Sequence, residues 1–350
     1  MRRPTSGAAA KVPFALADPT LPSATPAVLQ QDRPPVPYIV MPRGIQPFHL
    51  QDKPVRGRLI RLGALADALL TRHPNHPTVT QLMGEALALT AGLAAALKYR
   101  GSFSLQARGD GAVPMLLADC TEAGALRGYA RAEPAALETL LRVLPDPEAV
   151  ALLGSGYLAF TCDQGDDMER YQGIVAIQGA TLTAMTDHYF ETSEQLRTHV
   201  RLACAETPAG WRAAALIMER VAPEGGVGGG LDPAAEPAAE EDAWHTALTL
   251  AGTLTDAELL DDALPSPNLL HRLFHAEGLA LDRPRPLSYG CRCSRAKLAG
   301  VLANFPGDDL DHMAEAGAIT MTCEFCNLDF RFDRHEVRPD ADAAARVGQA

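Results

Sequence analysis

Gly290-Cys291-Arg292-Cys293-Ser294 and, further along, Thr322-Cys323-Glu324-Phe325-Cys326-Asn327 decide how this chain is organised. The first stretch holds a C-x-C pair and the second a C-x-x-C pair, so four of the seven cysteines fall in these two places. Zinc prefers four tetrahedral nitrogen or sulfur ligands, and two cysteine pairs joined by a loop supply them. Cys291, Cys293, Cys323 and Cys326 are therefore read as the ligands of one Zn2+ in a small C-terminal module, residues 288–338. His312 and His335 lie close enough in sequence to substitute, but the complete cysteine set leaves them no role. Thiolate is also the species that reacts with oxidants, so these sulfurs can serve as a structural clamp or as a redox switch. Metal binding in such small modules is worth ~10–16 kcal/mol, against a stability of ~5–15 kcal/mol for a whole domain. Loss of the ligands is therefore expected to unfold the module.

Working outward, the remaining cysteines, Cys120, Cys162 and Cys204, stand singly in apolar stretches and read as buried, inert thiols. The 350 residues allow two or more domains, and an apolar fraction of 47% is ordinary for a globular protein. Acidic residues outnumber basic ones, 43 to 31, for a net charge of −12. That balance argues against a nucleic-acid partner. There is no apolar run of membrane-spanning length, so no membrane role is expected. After Met1-Arg2-Arg3-Pro4 no apolar signal segment follows, and metal-bound cysteines suit a reducing, cytoplasmic compartment.

Residues 1–47 are rich in proline and read as a disordered tail. The folded core is expected over 48–221. Val55-Arg56-Gly57-Arg58-Leu59-Ile60 reads as a strand and Leu62–Leu70 as a short helix. A clear helix follows, with Thr78 and Gln81 at capping-box spacing and Leu82, Ala86, Leu89, Leu93 and Leu97 on one face. Small residues such as Gly92 leave room for close packing. Phe103, Leu105 and Ala107 alternate with polar residues as in a strand, and Gly109-Asp110-Gly111 reads as a turn. Further strands are expected at Met115–Ala118, Leu126–Tyr129, Tyr157–Phe160, Ile174–Ile177, His199–Cys204 and Ala213–Val221, with a helix over Leu182–Thr192. The mixture of hairpins and helices predicts an α+β fold, a mixed or antiparallel sheet with packed helices.

Residues 222–243, with Gly225-Gly226-Val227-Gly228-Gly229-Gly230, read as a flexible linker. Residues 244–287 read as a helical linker. There Thr255 and Glu258 form a second capping-box spacing, and Leu259, Leu260, Leu269, Leu270, Leu273 and Phe274 lie on apolar faces. Short helices of this kind are marginal alone and must dock. Residues 339–350 read as a C-terminal tail. No catalytic constellation is evident, and the chain is not read as an enzyme. Two other readings of the cysteine pairs can be distinguished. A nucleic-acid-binding zinc ribbon would want a basic face, and a thiol oxidoreductase would want its C-x-x-C in a thioredoxin-like setting.

The order of parts resembles the heat-shock protein 33 family of redox-regulated chaperones. Besides the cysteine pairs, the resemblance rests on Val55-Arg56-Gly57, Gln106-Ala107-Arg108-Gly109-Asp110-Gly111, Gly154-Ser155-Gly156-Tyr157, Glu169-Arg170-Tyr171-Gln172-Gly173, Tyr189-Phe190 and Ser193-Glu194-Gln195. It implies a cytoplasmic, ATP-independent holdase, inactive while zinc sits on Cys291, Cys293, Cys323 and Cys326. Oxidation to Cys291–Cys293 and Cys323–Cys326 disulfides would release zinc and loosen the helical linker. The active form would be a homodimer that holds unfolding client proteins. Two positions depart from the family pattern. Asn327 stands where glycine commonly follows the C-x-x-C; the turn there needs a left-handed residue, and asparagine is the usual second choice. Ala296-Lys297 stands where an acidic residue often follows the C-x-C.

Overall fold

The computed structural model describes residues 37–96, 101–164, 170–221 and 235–337. Most of the strands belong to one large mixed sheet, which is the α+β architecture expected. β1 (Val40–Leu50), β2 (Val55–Arg61), β8 (Thr198–Thr207) and β9 (Gly210–Arg220) form one half. β3 (Ser102–Gly109), β4 (Met115–Thr121), β5 (Ala125–Arg131), β6 (Gly156–Asp163) and β7 (Tyr171–Ala176) form the other. The order is β7-β6-β3-β4-β5-β11-β1-β2-β9-β8, so β11 (Arg285–Tyr289) joins the halves, while β10 (Leu279–Leu281) pairs with β1. β11 runs parallel to β5 and antiparallel to β1.

Helix α1 (Ala64–Leu70) and the long helix α2 (Pro77–Ala94) cover one face. Leu82, Ala86, Leu89 and Leu93 are buried there, as their spacing predicts. A Cβ on Gly92 would come within 2.5 Å of Ile217 Cδ1 and 2.8 Å of Ile60 Cδ1, so the helix packs close to β2 and β9 and a larger residue would displace these two side-chain ends. The expected Thr78–Gln81 capping box does not form. Pro77 already occupies the first turn, and the His76 side chain caps by accepting the Thr78 N–H at 3.3 Å. α3 (Pro134–Val143) and α4 (Ala149–Leu153), helices that no sequence signal predicts, lie between β5 and β6, and α5 (Leu182–Thr192) follows β7 with its expected bounds.

The opposite face is divided. Over β1, β2, β8 and β9 it is covered by α6 (Ala235–Ala251), α7 (Asp256–Leu260) and α8 (Ser266–Phe274). Trp244, Leu259, Leu269, Leu270, Leu273 and Phe274 pack there on Phe48, Leu50, Val55, Leu59, Leu216 and Met218. Phe274 stacks on Phe48 with centroids 5.4 Å apart. The Thr255–Glu258 capping box forms in full. Arg61 donates to the carbonyls of Leu264 and Glu258, and Arg212 pairs with Asp262 at 2.6 Å, so the linker is tied to the sheet by polar contacts as well.

Three boundaries differ from expectation. Residues 40–47, read as tail, are the first part of β1. Pro42 is accommodated where the β1–β11 register shifts between Met41 and Ile45, a place where a missing N–H breaks no ladder bond. Residues 235–243, read as flexible linker, begin α6, because alanine and glutamate are strong helix formers. Finally, β10 and β11, which the reading divided between the helical linker and the metal module, belong to the core sheet. The tails over 1–36 and 338–350, the glycine run at 225–230, and Leu97 and Glu169 lie outside the described residues.

Leu287 is fully buried in the core that α2 shares with β5. A fragment spanning 37–221 keeps all of β1 but lacks Leu287, and it leaves β5 and β1 without their shared neighbour. It should melt well below a fragment spanning 37–290, or fail to melt cooperatively. Equal melting temperatures of the two fragments, by circular dichroism, would show that β11 adds nothing to the core.

Candidate metal centre

β11 ends at Tyr289, and the next residue explains how the cysteines are aimed. The Gly290 N–H donates to the Leu126 carbonyl at 2.7 Å. A Cβ there would meet the Ala125 and Leu126 backbone at 2.4 and 2.5 Å, so only glycine lets the chain leave the sheet this close to β5. Cys291 follows at once. Ser294 then starts α9 (Arg295–Leu302), its side chain accepting the Lys297 N–H at 3.2 Å. After α10 (Gly307–Met313), the hairpin β12 (Ala318–Thr322) and β13 (Asp329–Asp333) carries the second cysteine pair at its tip, and α11 (Arg334–Val337) closes the module.

The hairpin tip is a tight turn. The Asn327 N–H donates to the Cys323 carbonyl at 2.7 Å, and the Cys323 N–H to the Leu328 carbonyl at 2.9 Å. Asn327 has φ 51°, so asparagine takes the left-handed position expected of it. Its side-chain Nδ2 also donates to the Arg72 carbonyl at 3.0 Å, a contact to the core that glycine could not make.

All four cysteines are buried, and their sulfurs lie within 4.8 Å of one another. Cys291 Sγ is 3.4 Å from Cys293 Sγ and 3.7 Å from Cys323 Sγ, and Cys293 Sγ is 3.5 Å from Cys326 Sγ. Sulfurs about 2.3 Å from a common centre stand roughly 3.8 Å apart at the corners of a tetrahedron. The cluster therefore fits a four-sulfur metal cage, and it can hold a metal ion. Cys323 and Cys326 are shifted in opposite directions. Hydrogen bonds from Cys291 and Cys326 hold Cys323 far below its ordinary value, whereas contact with Cys291 pushes Cys326 far above it. Backbone N–H groups of Cys326 and Phe325 add to the stabilisation of the Cys323 thiolate. Leu302, Leu310, Ile319, Phe330 and Phe332 form the small apolar core beside the sulfurs.

His312 is exposed, with Nδ1 against the Asp308 carbonyl, and is not part of the cluster. Cys120, Cys162 and Cys204 are buried apart from it, and burial pushes Cys120 up to about 12. Contacts that no sequence pattern pointed to hold the module against the core. The Phe325 ring lies 4.0 Å from the Arg127 guanidinium and meets Tyr129 edge-on at 5.2 Å. Arg292, between Cys291 and Cys293, pairs with Asp119 of β4. Arg72 lies over the Tyr289 ring at 5.7 Å. Burial lowers the pKa of His73, which the backbone of Phe325 and Glu324 partly offsets. These core residues lie far from the cysteines in sequence, and the strand pattern at Leu126–Tyr129 gave no sign of their use.

The turn at Asn327 yields a direct test. Asn327→Ala places an ordinary side chain at positive φ, and it should destabilise the module by about 1 kcal/mol. Asn327→Gly should leave the turn intact and lose only the bond to Arg72. Thermal melts of the metal-loaded protein compare them, and equal losses in both variants would mean that backbone strain is not what selects the residue.

Comparison with known proteins agrees with this arrangement. The family model described as Hsp33 protein matches residues 44–333. The 33 kDa chaperonin of Caulobacter vibrioides is 37% identical, over 83% of this chain and 94% of that protein. The 33 kDa chaperonin of Pseudomonas aeruginosa is 36% identical, over 83% and 92%. Among solved structures, the Thermotoga maritima 33 kDa chaperonin, a heat shock protein 33 homolog, superposes with a TM-score of 0.68 at 17% identity, covering 87% of this chain and 99% of that one, and so shares the fold. A sheet joined through β11, a helical cover on one half of its face and a buried four-cysteine cluster thus belong to a chain that is a member of the Hsp33 protein family of chaperones.

Proposed function

We propose that this chain is an ATP-independent holdase whose client-binding surface opens when its four cysteines are oxidised. The observation that carries this reading is one of position. The buried sulfur cluster begins just past β11, the strand that joins the two halves of the sheet, and the apolar-faced helices α6 to α8 precede that strand with only the short β10 between.

In the reduced state Cys291, Cys293, Cys323 and Cys326 would hold one Zn2+. Bound there, zinc keeps the sulfurs as thiolates and cross-links two distant parts of a module too small to be stable by its apolar core alone. Oxidation to Cys291–Cys293 and Cys323–Cys326 disulfides removes all four ligands. Each of these pairs lies within one short segment, a C-x-C or a C-x-x-C, so its two sulfurs are neighbours in the chain whether or not the module is folded. The unfolded module no longer steadies the chain that leaves β11, and the linker helices lose their anchor.

Each fully buried Leu or Phe is worth about 1.5–3 kcal/mol. Exposure of Leu259, Leu269, Leu270, Leu273 and Phe274, with the sheet face beneath them, creates an apolar patch. Such a patch suits unfolded client proteins and the contact between two copies in an active homodimer. The work is binding rather than catalysis, in a cytoplasm whose reducing state keeps the switch closed, and neither nucleic acid nor membrane takes part.

The decisive experiment measures zinc content, free thiols and suppression of client aggregation on one sample, before and after peroxide or hypochlorite. One zinc per chain and little activity should give way to no zinc, two disulfides and full activity. Protein that carries no zinc when purified reduced with zinc supplied, or that protects clients equally in both states, sinks the reading. Two variants probe the relay. Cys323→Ser should lose tight zinc binding and be partly active when reduced. Leu270→Asp buries a charge at a fully enclosed position and should loosen the linker without removing zinc. Wild-type dye binding and oxidant dose in both variants would mean that the helices are not the relay.

A further inference from the structure

The face that the module presents to β4 and β5 is more highly charged than a structural contact requires. Asp119 is buried, 7% exposed, and receives two guanidinium groups on one oxygen: Arg127 Nε at 3.1 Å and Arg292 Nη2. One carboxylate therefore faces two cations, and Arg292 Nε is buried with no hydrogen-bond partner. A partly buried cation in excess is costly unless another anion stands near. The sulfur cluster is that anion. Arg292 lies in the chain between Cys291 and Cys293, and the Arg127 guanidinium packs at 4.0 Å on Phe325, which lies between Cys323 and Cys326. Burial lowers the pKa of Arg127, and the nearby Cys291, Cys323 and Cys293 sulfurs act against that lowering. Phe325 itself sits between Arg127 and Tyr129, so cation–π and edge-on aromatic contacts add to the attraction.

We propose that Arg127 is a positioning residue of the redox switch, holding the cysteine module docked on the core for as long as the four sulfurs are anionic. The switch is then not contained in the module, because part of its set point lies in β5. This inference rests on the zinc-bound, oxidation-sensitive reading of the site. Four thiolates around one Zn2+ carry a net charge of −2. Two molecules of a two-electron oxidant such as hydrogen peroxide accept four electrons from them and four protons from solvent. Two S–S bonds form, two O–O bonds break, four waters are produced and Zn2+ is left without ligands. The charge opposite Arg127 and Arg292 falls from −2 to zero, and the surplus positive charge around Asp119 has nothing to face. Undocking thus follows from the change in charge and does not wait for the module to unfold completely.

The test uses the reduced, zinc-loaded full chain. Amide hydrogen exchange is followed over Asp119–Tyr129 and Glu324–Asn327, with zinc content measured on the same samples. Arg127→Gln should keep one zinc yet lose about tenfold in protection over both segments, whereas Arg127→Lys should keep most of it. If Arg127→Gln fails to fold, the wild type decides: raising salt from about 0.05 M to about 1 M should reduce protection over the same segments with zinc retained. During peroxide treatment, protection over Asp119–Tyr129 should fall no later than protection of the module's own amides at Ala318–Thr322. Unchanged protection in Arg127→Gln, or salt-independent protection in the wild type, with zinc bound, overturns this inference and leaves the proposed function standing. A wild type without zinc overturns both.

Discussion

β11 is hydrogen-bonded on both sides, parallel to β5 and antiparallel to β1, and the rest of the molecule depends on that pairing. Without it the sheet is two separate pieces, each with an open edge. The parallel pair also requires a long crossover between β5 and β11, and the chain uses that crossover to build α3 to α5, the remaining strands and the whole helical cover. A segment that arrives so late in the sequence and sits in the middle of the sheet couples events at the C-terminus to the core more directly than an appended domain could.

The two faces of the sheet are treated differently for a physical reason. Under α2 the packing is as tight as Gly92 and its neighbours allow, and a close-packed core of this kind resists partial opening. Over β1, β2, β8 and β9 the cover is α6 with two short helices, α7 and α8, that are marginal alone, held by leucine and phenylalanine contacts and by ion pairs such as Arg201–Asp256 that are partly exposed and individually weak. A cover built from elements of low intrinsic stability is suited to local release while the sheet beneath persists.

The metal module joins these two parts. Gly290 brings the chain off β5 at backbone contact distance, and Phe325 returns it to β5 from the other cysteine pair. The sulfur cluster is thereby held between two attachments to the same strand. A change in the cluster alters both attachments at once, and this is how a small site can influence a large surface.

The sequence by itself determined the elements whose signals are local. The four cysteines at two short spacings, the apolar stripe of α2, the Thr255–Glu258 capping box, the bounds of α5 and the left-handed Asn327 all follow from neighbours within a few residues. Composition misled where a local rule was overridden by pairing, as at Pro42 in β1, and where helix-forming residues followed a glycine run, as in α6. Only the tertiary structure decided that Arg285–Tyr289 is an interior strand. A five-residue segment with one buried leucine carries no periodicity strong enough to separate it from a linker, and its partners at Val40–Ile45 and Ala125–Leu126 are far away in the chain. The same holds for Asp119, Arg127 and Tyr129 beneath the cysteine module. Their spacing marks them as alternate residues of two ordinary strands, and which face of a strand meets which distant side chain is fixed by long-range packing that no short stretch of sequence records.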